Sequence, residues 1–145
     1  SGSRFQDMFR ECDVYNQSLA TQSVSLNSKT WTSWDVSNTT SASVADHGAG
    51  FTSMFYATPN FTGEGLDSWD ISKAKSFGTF AGSATFSTVN YDKILISWAA
   101  QAPTYTGTVN FGNSKYTGYG AAAETARNTL TNTYNWTITD GGPVY

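Results

Sequence analysis

Two aspartates in a repeated motif are the first residues whose type and spacing could do chemistry. Asp35 lies in Ser-Trp-Asp-Val-Ser (33–37) and Asp70 in Ser-Trp-Asp-Ile-Ser (68–72). Two carboxylates about 5–9.5 Å apart are the acid and base of a glycoside hydrolase. Equivalent positions of a repeat also arise by duplication, and short Asp and Ser side chains bond nearby backbone N–H groups in turns. The motif therefore predicts two equivalent turns and no catalytic residue.

The dipeptide Asp46-His47 is the one place where an imidazole neighbours a carboxylate. A serine hydrolase would also need a nucleophile on a strained turn beside an oxyanion hole, and the sequence has no Gly-x-Ser-x-Gly motif. One histidine and one cysteine, Cys12, are too few ligands for an ordinary structural zinc site. We therefore predict no enzymatic activity, no metal and no cofactor, and a solvated loop around His47.

An internal repeat must position these residues. Residues 5–19, 51–66 and 77–86 align through an aromatic residue followed by a second aromatic six positions later. The aligned pairs are Phe9 and Tyr15, Phe55 and Phe61, and Phe80 and Phe86. Phe9 and Phe55 are 46 residues apart, whereas Phe55 and Phe80 are 25 apart. Insertions near 20–31 and 40–49 account for the difference, which leaves a unit of about 25 residues.

A repeat of this length predicts a solenoid, because one unit cannot bury its own aromatic face and must stack on its neighbours. The expected internal ladders are Phe9, Phe55 and Phe80; Tyr15, Phe61 and Phe86; and Trp34 and Trp69. Asp35 and Asp70 then occupy equivalent corners. The degenerate repeats span residues 4–88, after an opening Ser1-Gly2-Ser3 that is typical of a cloning remnant.

A capping segment is predicted over residues 89–145, within the same single domain. The predicted elements are helices over 91–101 and 118–134 and strands over 109–111 and 136–140. Asn90 is the expected N-cap of the first helix, and Ala122, Ala126 and Leu130 form the apolar stripe of the second. A non-repeating end of this kind covers the last coil of a solenoid.

These motifs resemble a known family. Residues 54–77, MFYATPNFTGEGLDSWDISKAKSF, are similar to the repeat of BspA-type leucine-rich-repeat surface proteins, and residues 90–142 are similar to the segment that caps those repeats. The resemblance implies an α/β repeat fold: a short right-handed leucine-rich-repeat-like solenoid with short parallel strands, two loop insertions and a helix-containing C-terminal cap. It also implies display on bacteria, some protists or phage-like particles, with binding or adhesion and no catalysis.

Composition narrows the possible partners. Charged residues make up 13% of the chain, about half the usual share, while aromatic residues make up 15%. The net charge of −3 leaves no basic surface for phosphates, so neither nucleic acid nor an anionic membrane is an expected partner. No stretch approaches the roughly 20 apolar residues of a membrane span. We expect an extracellular domain, on a cell or virion surface.

The insertions are the predicted binding regions, since insertions in a solenoid emerge as loops, commonly on a binding face. The candidate residues are Lys29 and Trp31 in the first insertion, Asp46 and His47 in the second, and Tyr56 beside them. Trp31 could anchor a protein or stack on a sugar, or it could fold back over the core.

Three hypotheses remain open at this point: a recognition or adhesion domain for proteins or glycans of a host or neighbouring cell, a carbohydrate-binding or glycoside-acting module, and a structural spacer of a surface or tail protein. The chain begins part-way through a repeat unit, which also predicts self-association through an open N-terminal coil.

Overall fold

The computed structural model describes residues 5–37 and 50–145. In these ranges the strands are β1 (Gln22–Leu26), β2 (Lys29–Ser33), β3 (Thr108–Asn110), β4 (Tyr116–Thr117), β5 (Thr137–Thr139) and β6 (Pro143–Val144). The helices are α1 (Thr88–Ala100) and α2 (Ala122–Asn132), and a 3-10 turn covers Leu66–Ser68. Strands β1 and β2 pair antiparallel, whereas β3 pairs with β5, and β4 with β6, in parallel.

Three chain segments lie side by side: the first segment (5–19), the second (50–69) and the third (76–86). The first donates backbone N–H groups of Phe5, Asp7, Phe9 and Glu11 to carbonyls of Gly50, Thr52, Met54 and Tyr56, at 2.9–3.2 Å. The second donates from Phe51, Phe55 and Ala57 to Ser76, Phe80 and Gly82, at 2.8–2.9 Å. Both rows run in parallel. The first has a two-residue step throughout and the second between Phe55 and Ala57, which is the spacing of a parallel β ladder.

Equivalent residues of these segments share a left-handed backbone. Asp7 has φ 54°, Ser53 has φ 53° and Gly78 has φ 35°. Glu11 and Ala57, also 46 residues apart, have φ 58° and 52°. Since this conformation costs an ordinary residue roughly 1–2 kcal/mol, its recurrence at one register indicates that the same turn is built more than once. The backbone therefore supports the alignment made from the aromatic residues.

Aromatic rings in stacked, tilted and edge-to-face pairs fill the space between the segments. Phe9 lies 5.5 Å from Phe55 between ring centroids, Phe55 lies 5.2 Å from Phe80, and Trp34 lies 6.5 Å from Trp69. The second ladder has Tyr15 5.5 Å from Phe61 and Phe61 5.6 Å from Phe86. Each such pair adds about 0.5–1.5 kcal/mol to the burial of the rings themselves. These contacts place the predicted ladder residues next to one another.

Parallel strands were expected in every coil, and here the structure differs. In the described residues the parallel strands are β3 to β6, while the three segments run mainly as turns. N–H groups of the first segment also close local turns, such as Met8 to Phe5 and Arg10 to Asp7. Some N–H groups of a segment bond to the neighbouring segment, and others close local turns within the segment. Regular strands therefore do not form there. The solenoid stays a prediction.

Helix α1 begins earlier than the sequence suggested. Its N-cap is Ser87, whose hydroxyl accepts a hydrogen bond from the Asn90 N–H at 3.3 Å. Asn90 is not the N-cap; it lies in the first turn and donates through Nδ2 to the Thr62 carbonyl. Both residue types favour the cap position, but only Ser87 has the extended backbone that a cap needs.

The apolar face of α1 closes the stack. Trp98 is fully buried and donates its indole N–H to the Leu66 carbonyl at 3.0 Å. Gln101 accepts from the Ile71 N–H and donates to the Trp69 carbonyl, so its amide bonds to the last residue of the second segment and to the chain just after it. In α2 the buried stripe is Ala123, Ala126 and Leu130. Ala126 and Leu130 are buried as predicted, whereas Ala122 is exposed and Ala123 takes its place in the stripe.

A buried ion pair links the two helices to the end of β5. Arg127 contacts Asp140 through Nε at 2.7 Å and Nη2 at 3.3 Å, and the Asp140 side chain is only 3% exposed. Tyr91 donates its hydroxyl to Asp140 at 2.8 Å, and the Gly142 N–H donates at 3.1 Å. Burial lowers the pKa of Arg127, but the hydrogen bond and charge of Asp140 outweigh it and raise that pKa. The carboxylate is satisfied from several sides, as a buried charge requires.

The pKa of Tyr91 is raised well above its ordinary value near 10, first by burial and then by the charge of Asp140. The native phenol therefore stays protonated where the unfolded one ionises. Stability from this group is complete below about pH 10 and falls as the pH rises above it. We predict that Tyr91→Phe lowers the free energy of unfolding at pH 7 by about 1–2 kcal/mol and makes its decline above pH 10 shallower.

Urea denaturation between pH 7 and 11.5 measures both effects. Tyr119→Phe is the matched control, because Tyr119 is 82% exposed and should leave both quantities unchanged. An alkaline slope that is the same in the wild type and in Tyr91→Phe would show that the prediction is wrong.

Candidate functional site

The first insertion folds as a β-hairpin. Strands β1 and β2 pair from Gln22 with Ser33 up to Leu26 with Lys29, leaving Asn27 and Ser28 as a two-residue turn. Asn27 has φ 51° and Ser28 has φ 60°. Positive φ at both positions is the mark of a type I′ turn, whose twist matches that of paired strands. The insertion predicted over 20–31 as a loop is therefore a regular ribbon that extends to Ser33.

The hairpin is exposed wherever its side chains are described. Gln22, Ser23, Ser25, Lys29 and Thr30 are all exposed. Its strands pair with each other and with no other strand of the described ranges. The hydroxyls of Ser25 and Thr30 lie 2.9 Å apart and form a hydrogen bond across the two strands. The described side chains of the hairpin thus form an exposed polar surface.

Well-defined bonds hold the base of the hairpin. Thr21 donates its hydroxyl to the Trp34 carbonyl at 3.1 Å, which ties the two ends of the insertion together. The Thr21 N–H donates to the Ser68 hydroxyl at 2.6 Å, and that hydroxyl donates to the Gly65 carbonyl at 2.7 Å. Leu19, just before the insertion, accepts the indole N–H of buried Trp69 at 2.8 Å. The ribbon is therefore attached to the core at a fixed point.

Gly65 makes this attachment possible. Its φ is +87°, and a Cβ on it would lie 2.1 Å from the backbone nitrogen of Ala20. Only glycine allows so close an approach of two backbones in this conformation.

Two of the predicted binding residues lie on one strand of the hairpin. Lys29 and Trp31 lie together on β2, where Lys29 pairs with Leu26 and Trp31 with Val24. Asp46 and His47 lie outside the described residues.

Tyr56 lies in the second segment, where its ring packs between neighbouring segments. The guanidinium carbon of Arg10 lies 5.2 Å from the ring centroid of Tyr56, and a Cβ on Gly82 would lie 3.0 Å from the ring. These contacts give Tyr56 a packing role.

Asp35 and Asp70 make the same turn. Oδ1 of Asp35 accepts the N–H and hydroxyl of Ser37 at 3.1 and 2.6 Å, and Oδ1 of Asp70 accepts those of Ser72 at 3.0 and 2.6 Å. The hydroxyl bond, followed by the N–H bond, lowers the pKa of Asp35. A proton donor for glycoside cleavage needs a raised pKa, so this environment favours the turn over acid catalysis.

No group of three or more His, Cys, Asp or Glu side chains in ranges 5–37 and 50–145 could hold a metal ion. No helix of those ranges has the length and apolar character to cross a membrane. Comparison of the chain with protein-family models, curated proteins and solved structures found no match.

We predict that Gly65→Ala destabilises the protein by about 2–4 kcal/mol, because it adds a backbone clash to the strain of a positive φ. Gly120→Ala is the matched control: its φ is +75°, but no atom lies within 4 Å of its Cβ position. The control should cost only about 1 kcal/mol. Urea denaturation compares them, and equal costs would contradict a close approach at Gly65.

The double variant Asp35→Asn, Asp70→Asn distinguishes a role of the two aspartates in turns from a role in catalysis. An amide oxygen can still accept both serine bonds but carries no charge, so we expect a melting temperature at pH 7 only slightly below that of the wild type. Because the lowered pKa of Asp35 makes its contribution disappear as the pH falls through the folded pKa, the wild type should lose more stability in acid than the double variant. Aspartate-to-alanine changes should lower the melting temperature at pH 7. Glycan turnover by the wild type that vanishes in the Asn variant would contradict the turn assignment.

Proposed function

We propose that this chain is a non-catalytic recognition domain that binds a protein or glycan through the β1–β2 hairpin. The observation that carries the proposal is an exposed, regularly paired ribbon held at its base by Thr21, Ser68 and Gly65. Adhesion to a host or neighbouring cell is the setting that fits, with the domain on a cell or virion surface. The BspA-like family and the solenoid architecture belong to the same proposal.

The energetics of the ribbon support this proposal. Ordering one residue costs roughly 1–2 kcal/mol of backbone entropy, and a two-stranded hairpin is at best marginally stable by itself. The side chains of Gln22, Ser23, Ser25, Lys29 and Thr30 are exposed, so burial of these five does not offset that cost. The ribbon is pre-organised for binding. Because no loop has to become ordered when a ligand binds, the entropic cost of binding is lower.

The chemistry of the ribbon suits a polar ligand. Its sequence, QSVSLNSKTWTS over 22–33, is rich in hydroxyl groups and contains one charged residue, Lys29. Hydroxyls donate and accept hydrogen bonds, and Trp31 supplies an indole for stacking or anchoring. These groups fit a sugar or a polar protein surface. A charge-matched polyanion would need more than one cation.

The alternative that the chain is a structural spacer is supported by a different observation, the incompletely covered outer face of the first segment. A recognition role and a spacer role are compatible. The glycoside-acting alternative draws no support from Asp35 and Asp70, whose carboxylates accept turn bonds.

Binding of the purified protein to a glycan array and to host cells, with Lys29→Ala and Trp31→Ala as variants, tests the proposal. Each variant should weaken binding at least about tenfold, the loss expected from removing one central contact, with a melting temperature close to that of the wild type. Lys73→Ala is the matched control, since Lys73 is an exposed lysine outside the hairpin.

Three results would overturn the assignment of binding to the hairpin. They are equal binding by all variants, an effect of Lys73→Ala as large as that of Lys29→Ala, and a loss of stability in Trp31→Ala that matches its loss of binding.

A further inference from the structure

The outer face of the first segment is covered less than its equivalents. Met8 is 45% exposed, whereas Met54, at the same position of the second segment, is fully buried. Phe5 and Phe9 are half-buried, while Phe51 and Phe55 are fully buried. The difference arises because each inner segment is covered by a neighbour on both sides. In the described residues, no further segment lies on the first.

The backbone of this face offers acceptors in a row. In the second segment the carbonyls of Thr52, Met54 and Tyr56 accept N–H groups from the first. Their equivalents, 46 residues earlier, are the carbonyls of Gln6, Met8 and Arg10. None of the backbone N–H groups of the described residues donates to these three carbonyls.

The N–H groups of Met8 and Arg10 are already used in local turns, to the carbonyls of Phe5 and Asp7. The edge over residues 8–10 therefore accepts hydrogen bonds and does not donate them.

An edge with acceptors alone selects its partner. Two copies related by a twofold axis would place one row of carbonyls against the other, which pairs nothing. A head-to-tail copy would have to offer a row of N–H groups from its C-terminal side. There the N–H groups of Trp136 and Thr137 already donate to Leu130 and Gly107. A twofold pair therefore leaves the row without donors, and these two N–H groups are closed to a head-to-tail copy.

We propose that the outer face of residues 5–11 docks an extended polypeptide segment that runs parallel to it, donates N–H groups at alternate residues and carries large apolar side chains four residues apart. The template is the contact that the first segment itself makes with the second. There the Phe5 and Phe51 rings lie 5.8 Å apart at 9°, and the Phe9 and Phe55 rings lie 5.5 Å apart at 3°. The partner adds one more layer to an existing stack, by the physics of strand addition at an open edge. This site is independent of the hairpin.

A synthetic peptide with the sequence of residues 5–15, with Ser in place of Cys12, is the probe, because those residues carry both the donor row and the ring spacing. Titration into the ¹⁵N-labelled protein should give saturable shifts of amides near Met8 and Arg10. Replacing the Phe9 amide of the peptide by an ester removes one donor and should weaken binding by about fivefold. An ester at the Gln6 amide, which makes no backbone bond in the template, should leave affinity within twofold of the parent peptide.

On the protein, Met8→Glu should abolish the shifts, and Ile96→Glu, at a comparably exposed apolar residue of α1, should not. Three outcomes would overturn the proposal: no saturable binding at millimolar peptide, equal weakening by the two esters, or a concentration-dependent dimer in light scattering that Met8→Glu abolishes. The last would assign the face to a second copy instead.

Discussion

The hydrogen bond from a buried indole to a leucine carbonyl of the preceding layer sets the geometry of this molecule. Trp69 makes it to Leu19 at 2.8 Å, and Trp98 makes it to Leu66 at 3.0 Å. A buried N–H without an acceptor would cost several kcal/mol. Each indole therefore fixes the position of the neighbouring segment that supplies its carbonyl acceptor, and also fills space in the core. The contact also explains how helix α1 can close the stack, because Trp98 reaches from the helix to the carbonyl that a further segment would otherwise approach.

Much of the packing could be predicted from spacing alone, because large rings are the main apolar groups here and must meet. The pairs Phe9 with Phe55 and Trp34 with Trp69 follow from the repeat, and so do the turns of Asp35 and Asp70. Spacing does not distinguish strands from turns. Both repeat in the same register, and the choice depends on whether N–H groups bond locally or across segments.

The hairpin, the N-cap of α1 and the buried ion pair were not predicted from the sequence, each for a separate physical reason. The hairpin carries Asn27-Ser28 at its turn, a weaker signal than Asn-Gly, although Asn tolerates positive φ. Ser87 and Asn90 are both good caps three residues apart, and only backbone conformation decides between them. The ion pair of Arg127 with Asp140 joins a helix to a strand end and leaves no periodic pattern in the sequence. Of the candidate site, the sequence indicated where the insertion lies but not that it is ordered.

The shared turn at Asp7, Ser53 and Gly78 has a consequence for how such a chain can vary. One register of backbone conformation is kept while the side chain changes from a carboxylate to a hydroxyl to a hydrogen atom. At these positions the backbone conformation, and not one particular side chain, is what recurs. The chemical character of the outside can therefore drift from one layer to the next while the aromatic interior stays as it is. Such a scaffold is evolvable: new surface specificities can arise on it without a new fold.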